Sequence, residues 1–461
     1  MGQKTPANYG STKDFEPKSR VSQQGVKYEK IPIHPVRSSK TVVKKVLFMK
    51  KLIYILFAVL ASVDAYAAVT ITANDPNIQY TGRVDFSNPL APVISWSGTS
   101  VIANFQGTSI QATLNEMGGN YFYFIVDNGT PNKIGLSGGP KTYTIATGLP
   151  DTTHKVEIYK RTEAINWPSA FINFIIDNGK KLTPPPPRPI RKIEFYGDSI
   201  TAGLALDGPD DNMNATNTNA YLTYGAITAM NLNAECHIIA VSGIPLVRSS
   251  GGSDNMSNNY YYRLRGENGS SYWDFNQWKP DLILINLGQN DKWAGVTQAE
   301  AVPAYVNFVN TIRTRYGDMT AKKIPVILAL GSMDATYSGS PWPGYIQQAI
   351  DSLHSTYSDY NVYKVIFPWC GIWAHPHAPQ NAAMAQQLTN FIIANIPGFS
   401  LHLADLNNDG VINFLDFARF SNHWLETDCG PCSGADLSGD NNVTMDDVLV
   451  LAENWLQDYT N

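Results

Sequence analysis

Ile193-Glu194-Phe195-Tyr196-Gly197-Asp198-Ser199-Ile200-Thr201-Ala202-Gly203 changes character halfway along, and that change decides the fold of the chain beyond it. Ile193–Tyr196 is a short apolar and aromatic run, as a buried strand requires. It breaks at a glycine and delivers a serine at the strand's carboxyl end. Downstream, the spacing predicts a helix near Tyr221–Met230 and strands His237–Val241 and Asp281–Leu287. A helix over Ala299–Tyr316, strand Pro325–Leu330, helix Gly344–Tyr357, strand Val362–Phe367 and helix Gln380–Asn395 come next. Five strands alternating with helices predict a three-layer α/β domain on a parallel sheet, over residues 191–398. Chemistry in such sheets collects at the carboxyl ends of the strands.

A serine hydroxyl is a weak nucleophile unless a base takes its proton. Three later segments supply what Ser199 lacks. Ser242-Gly243 follows the second strand, where a glycine lets backbone N–H face a site. Gly288-Gln289-Asn290-Asp291 follows the third, and Asn290 offers a side-chain amide to an oxyanion. His375-Pro376 follows the last strand. Singly, each reads as an ordinary turn residue. Together, in this order at neighbouring strand ends, they bring the groups that acyl transfer needs.

Residues 68–182 read differently. Val69–Asn74, Val93–Trp96, Val101–Phe105, Tyr121–Val126, Lys141–Ile145, Lys155–Tyr159 and Phe171–Ile176 are short and β-branched or aromatic, punctuated by Asn128-Gly129 and Asn178-Gly179. These predict a β-sandwich or jelly roll. Pro184–Pro187 then stiffen residues 183–190 into a polyproline linker or strap.

At the other end, Lys50-Lys51, the apolar run Leu52–Ala61 and Ala65-Tyr66-Ala67 form an export signal over 49–67, cut after Ala67. The run is too short to anchor the mature chain in a bilayer. Residues 1–48 are a disordered extension, or lie upstream of the true start at Met49. Residues 1–67 carry twelve Lys/Arg against four Asp/Glu, so removing them takes the formal charge from −5 to −13. So acidic a chain is a poor partner for nucleic acid.

Past Pro397, two twelve-residue segments 31 positions apart align residue for residue. Asp405, Asn407, Asp409, Asn413 and Asp416, with Gly410 at the turn, match Asp436, Ser438, Asp440, Thr444 and Asp447, with Asn441 at the turn. Hard oxygen donors at this spacing suit two structural Ca2+ ions in a small helical module over 401–458. The Cys429-Gly-Pro-Cys432 stretch admits a redox pair, a zinc half-site or a local disulfide. Lacking a second Cys or His pair nearby, we read it as a disulfide pinning a loop.

The Ser199, Gly243, Asn290 and His375 blocks resemble the SGNH hydrolases, a flavodoxin-like α/β superfamily. Tyr80-Thr-Gly-Arg83, Phe105-Gln-Gly-Thr108, His154-Lys-Val156 and Lys160-Arg-Thr-Glu163 ahead of them look like carbohydrate esterase family 2. That resemblance implies a secreted serine esterase, free of catalytic cofactor, that removes O-acetyl groups from xylan- or mannan-type polysaccharides. It makes Ser199 the nucleophile and His375 the base, with the oxyanion held by Ser199 N–H, Gly243 N–H and Asn290. SGNH enzymes usually carry an aspartate two or three positions before the histidine; here Trp373 and Ile372 stand there. The implied arrangement is a Ser–His dyad oriented by a backbone carbonyl, with Asp291 or Asp334 as candidate distant acids and His377 as the rival base. Trp273, Trp293, Trp342 and Trp373 are candidate sugar-stacking residues. The paired acidic loops resemble a dockerin, which implies a cohesin-bearing scaffold as partner. The alternatives are a lipase or thioesterase of the same superfamily, and a non-catalytic carbohydrate-binding protein.

Overall fold

The computed structural model describes residues 68–457, apart from 190, 209–210, 253, 268, 400–402, 408 and 430–431, together with Met49. The extension and export signal expected over 1–67 fall outside these, Met49 excepted.

Two antiparallel six-stranded sheets form the first domain. One runs β3 (Val84–Asp85), β4 (Val93–Ile94), β11 (Ser169–Ile176), β6 (Ile110–Glu116), β9 (Gly139–Ala146), with β1 (Val69–Thr72) also on β11. The other runs β12 (Leu182–Thr183), β5 (Ser100–Gly107), β10 (Thr152–Lys160), β7 (Tyr121–Val126), β8 (Asn132–Gly135), with β2 (Ile78–Thr81) on β5. Alternation drives the packing: in β6, Ile110, Ala112 and Leu114 are buried while Gln111, Thr113 and Asn115 face outward. The inner faces meet in a core that includes Phe105, Phe122, Phe171 and Phe174. Sequence reading missed β2, β3, β6, β8 and β12. Most are too short for a periodic signal, and β6 carries few β-branched or aromatic residues.

The second domain holds a five-stranded parallel sheet in the order β14 (Ala234–Ala240), β13 (Arg191–Gly197), β15 (Leu282–Asn286), β16 (Val326–Leu330), β17 (Val362–Ile366). This is the flavodoxin-like order, and it reverses direction at the first strand. Helices α1 (Ser199–Ala202), α2 (Tyr224–Asn231), α3 (Gln289–Trp293), α4 (Gln298–Arg315), α5 (Trp342–Tyr357) and α6 (Ala378–Asn395) accompany it. Two separate apolar cores, one on each sheet face, complete the three layers. The first long helix starts later than its pattern suggested, because Thr223 caps it by accepting the Ala226 N–H.

The two domains share a buried ionic joint. Arg83 of the sandwich lies 2.8 Å from Glu194 of β13, both side chains fully buried. Arg83 also donates to the carbonyls of Tyr261 and Arg263, while the Tyr196 and Tyr316 hydroxyls donate to Glu194. These bonds offset much of the desolvation that a buried pair suffers, although the Arg83 Nε has no hydrogen-bond partner among the described residues. The proline-rich segment is a strap laid over both domains. Asn104 donates to Pro184 O, and Arg188 reaches Glu235 of β14 and the Tyr80 carbonyl.

The last module packs α7 (Phe414–Ser421) and α8 (Met445–Glu453) around Ile412, Phe420, Val443 and Leu451. Cys429 and Cys432 form the local disulfide. Among the described residues, no helix is long and apolar enough to cross a membrane.

Candidate active site

Ser199 stands at the first position of α1, directly after β13. Asp198 caps that helix by accepting the Ile200 N–H at 3.0 Å. The Ser199 N–H is thereby one of the helix-start donors with no intrahelical acceptor. Ser199 and His375 are nearly buried, at 5% and 8% exposure, and the Ser199 Oγ lies 2.9 Å from His375 Nε2. His377 instead places its Nδ1 3.3 Å from the Ala205 carbonyl, away from the serine.

The other imidazole nitrogen meets a carboxylate. His375 Nδ1 is 2.7 Å from Asp211 Oδ1, which also accepts the His375 backbone N–H at 3.2 Å. Burial alone would raise the Asp211 pKa, but these two hydrogen bonds hold it below the usual carboxylate range. A Ser–His dyad with a carbonyl behind it was expected; the described geometry is a Ser–His–Asp chain. Neither candidate acid serves here. Asp291 accepts the N–H groups of Leu246, Val247 and Arg248, and Asp334 is engaged by Gln289, Lys292 and Trp293. Asp211 comes from the loop after α1, where no periodicity or spacing marks it.

Asn290 ties together the segments next to Ser199 and next to Gly243. Gly243 has φ 77°, and a Cβ there would meet nothing within 4 Å, so backbone conformation, not crowding, demands glycine. The Asn290 side-chain amide donates to Ile244 O at 3.1 Å and Asp198 Oδ2 at 3.2 Å. Asp198 is pushed up to about 7, chiefly by burial and further by Asp291 and Glu163. Glu163 arrives from the sandwich: its carboxylate accepts both the Ser242 N–H and the Ser242 hydroxyl, each at 2.8 Å.

The four tryptophans divide. Trp273 and Trp342 are buried at 8% and 2% and belong to the core, so neither is placed to stack on a sugar. Trp273 packs under the Arg83 guanidinium and against His237. Trp342 backs Gly288, whose φ of 116° and close Tyr305 hydroxyl exclude a side chain. Trp293 and Trp373 are exposed at 66% and 72%. Trp373 joins Trp369 and Tyr337 in an aromatic cluster, with ring centroids 5.0–5.5 Å apart.

The acidic loops repeat each other in detail. Asp416 accepts the N–H groups of Asn407 and Asn413, as Asp447 accepts those of Ser438 and Thr444. Asp405 accepts from Asp409 and Gly410, as Asp436 accepts from Asp440 and Asn441. Gly410 and Asn441 both adopt positive φ. Carboxylate oxygens of Asp405, Asp409 and Asp416 lie within 4.8 Å of one another, a donor set that fits a hard divalent cation. Asp405, Asn407, Asp409, Asn413 and Asp416 would hold such an ion, and Asp436, Ser438, Asp440, Thr444 and Asp447 stand at the same positions of the second loop.

Three family descriptions match this chain: Carbohydrate esterase 2 N-terminal over residues 80–186, GDSL-like Lipase/Acylhydrolase family over 195–363, and Dockerin type I domain over 403–455. Among curated proteins, the cellulase/esterase CelE of Acetivibrio thermocellus is 33% identical over 68% of this chain, which spans 39% of that protein's length. An acetylxylan esterase / glucomannan deacetylase of Cellvibrio japonicus is 30% identical, covering 69% of this chain and 89% of its own. Among solved structures, a family two carbohydrate esterase from Clostridium thermocellum in complex with cellohexaose is 32% identical. It superposes with a TM-score of 0.64 over 69% of this chain and 99% of its own.

Proposed function

The chain belongs to carbohydrate esterase family 2 and carries a dockerin type I domain, and we propose that it is an exported polysaccharide O-deacetylase. The observation that carries this reading is the hydrogen-bonded Ser199–His375–Asp211 chain at the carboxyl ends of the sheet. Ser199 Oγ attacks the acetyl carbonyl as its proton passes to His375 Nε2, while Asp211 keeps the imidazole in the tautomer that accepts it. The carbonyl oxygen, now an oxyanion, receives hydrogen bonds from the Ser199 and Gly243 N–H groups and from the Asn290 amide, which gives up its 3.2 Å contact with Asp198 to donate while keeping the one to Ile244. As the tetrahedral intermediate collapses and the ester C–O bond breaks, His375 gives the proton to the departing sugar oxygen, freeing the sugar hydroxyl and leaving acetyl-Ser199. Water then repeats the sequence and releases acetate. Xylan- and glucomannan-type chains are the proposed substrates, in keeping with the activities named for the Cellvibrio relative. The exposed Trp293 and the Trp373 cluster are the proposed sugar-stacking surfaces. The export motif over 49–67 supports secretion, and the dockerin supports attachment to a cohesin-bearing scaffold through two calcium-loaded loops.

Acyl length tests the reading. An oxyanion hole is indifferent to chain length, so selection falls to the space beside Ser199, and each excluded methylene costs about 10- to 200-fold in kcat/KM. Assayed on acetate, butyrate and octanoate esters of one leaving group, the enzyme is expected to prefer acetate steeply. A kcat/KM that is flat or rises with length overturns the deacetylase in favour of a lipase.

A further inference from the structure

We infer that Glu163, a residue of the β-sandwich domain, is a positioning residue for the oxyanion hole of the α/β domain. The proposal rests on the esterase reading above.

Gly243 must present its N–H toward the carbonyl oxygen bound at Ser199, and no hydrogen bond among the described residues uses that N–H. A left-handed glycine is free to turn elsewhere, so its neighbours must hold it. On the carboxyl side, Asn290 grips the Ile244 carbonyl at 3.1 Å, and Asp291 collects the next N–H groups from Leu246 to Arg248. The turn itself is closed by the Ile244 N–H on the Val241 carbonyl at 3.2 Å, and on its amino side Glu163 adds a second restraint. Its two oxygens take the Ser242 N–H and hydroxyl, one each, both at 2.8 Å. Ser242 is bonded directly to Gly243, so Glu163 fixes the Val241–Ser242 peptide and the Ser242 side chain from the other domain and leaves one torsion, ψ of Ser242, between this anchor and the Gly243 N–H.

Glu163 is itself anchored. It is 1% exposed, and the Lys160 ammonium, 0% exposed, donates to the carbonyls of Thr162 and Glu163 at 2.8 and 3.1 Å. Arg161 accepts the Ala220 N–H with its carbonyl and pairs with Asp207. Burial raises the Glu163 pKa, while the two Ser242 bonds and Lys160 pull it back. A carboxylate is costly to bury so deeply on the sandwich's own account. The groups that compensate it include the loop that catalysis needs to keep still. On this reading the sandwich completes the active site and is no detachable accessory.

The oxyanion exists only past the ground state, so losing its donor lowers kcat and leaves KM nearly unchanged. Loss of a whole donor costs about 100- to 1000-fold; loosening one should cost roughly 10- to 100-fold. In the full chain, Glu163→Ala is expected to show that fall in kcat on a small acetate ester with KM within about twofold. Glu163→Gln still accepts the Ser242 N–H through its amide oxygen and donates to the Ser242 hydroxyl, so it should stay within about fivefold of wild type. Ser242→Ala, which keeps the N–H contact, should lose only a few fold in kcat and serves if Glu163→Ala fails to fold. Hydrogen exchange of the 240–248 segment gives a readout that does not depend on activity: faster in Glu163→Ala, near wild type in Glu163→Gln. Unchanged exchange in a folded Glu163→Ala overturns the inference, as does a loss confined to KM or to thermal stability. If wild type proves inert on acetyl esters, the deacetylase reading fails, while the exchange result still decides whether Glu163 holds the loop.

Discussion

The Ser199 site and the first acidic loop of the dockerin both crowd carboxylates and both give each one N–H donors, but only the loop aims several of them at one volume. Around Ser199, each acid has its own donors. Asp291 has three backbone N–H groups, Glu163 has Ser242, and Asp211 has the imidazole and N–H of His375. In the loop, Asp405, Asp409 and Asp416 point their oxygens at one volume. Burial raises the Asp405 pKa, and the charges of Asp416 and Asp409 push it the same way. The first site is organised for a charge that appears during reaction. The second offers oxygen donors to a divalent cation, whose binding would add to the stability of the fold. Catalysis and scaffold attachment should therefore fail under different treatments.

The largest effect should come from the nucleophile. Ser199→Ala is expected to lower kcat by about 1000-fold or more at unchanged circular dichroism, and His375→Ala by a similar factor. The double variant should be little worse than either, because the groups act as a unit. Additive losses would mean that the two do not share a step.

Chelation should break the comparison on the other side. A ligand at about 1000 times its Kd contributes roughly 4 kcal/mol to the folded state. Stripping calcium should remove exchange protection over residues 403–455 while acetyl-ester hydrolysis persists. Joint loss of both would show that the two regions are one cooperative unit.

Asp211→Asn sharpens the account of the site itself. Loss of a buried triad aspartate costs about 10,000-fold elsewhere. This carboxylate is 34% exposed, so water shares its task, and a fall of roughly 10- to 100-fold in kcat is expected. Activity within twofold of wild type would return the site to a dyad oriented by the main chain.

The smallest effect concerns Asp198, whose pKa rises on folding from 3.8 to about 7. A raised acid contributes stability that is fully present below about pH 4 and lost as pH climbs toward 7. Asn in its place still accepts the helix-capping N–H but does not titrate. The melting temperature of Asp198→Asn relative to wild type should therefore climb between pH 4 and 7 and level off above. A pH-independent difference would mean that Asp198 does not carry the raised pKa.

The amino-acid sequence by itself determined the parallel α/β domain, the order of its strand-end blocks and the two acidic loops. Those features are local: a strand ends, a glycine or serine comes next, or oxygen donors recur within twelve residues. Short sandwich strands such as Val84–Asp85 leave no periodic trace and emerge only as ladder partners. Only the tertiary structure decided which acid stands behind His375 and which side chain holds Ser242. Asp211 lies 164 positions from its histidine, and Glu163 lies 79 positions from its serine in another domain. It also separated buried Trp273 and Trp342 from exposed Trp293 and Trp373, since an indole looks the same in sequence whether it fills a core or faces solvent. A residue's type says which hydrogen bonds it is able to make, but its partner is chosen by chain closure over long separations, where the pattern of neighbours carries no information.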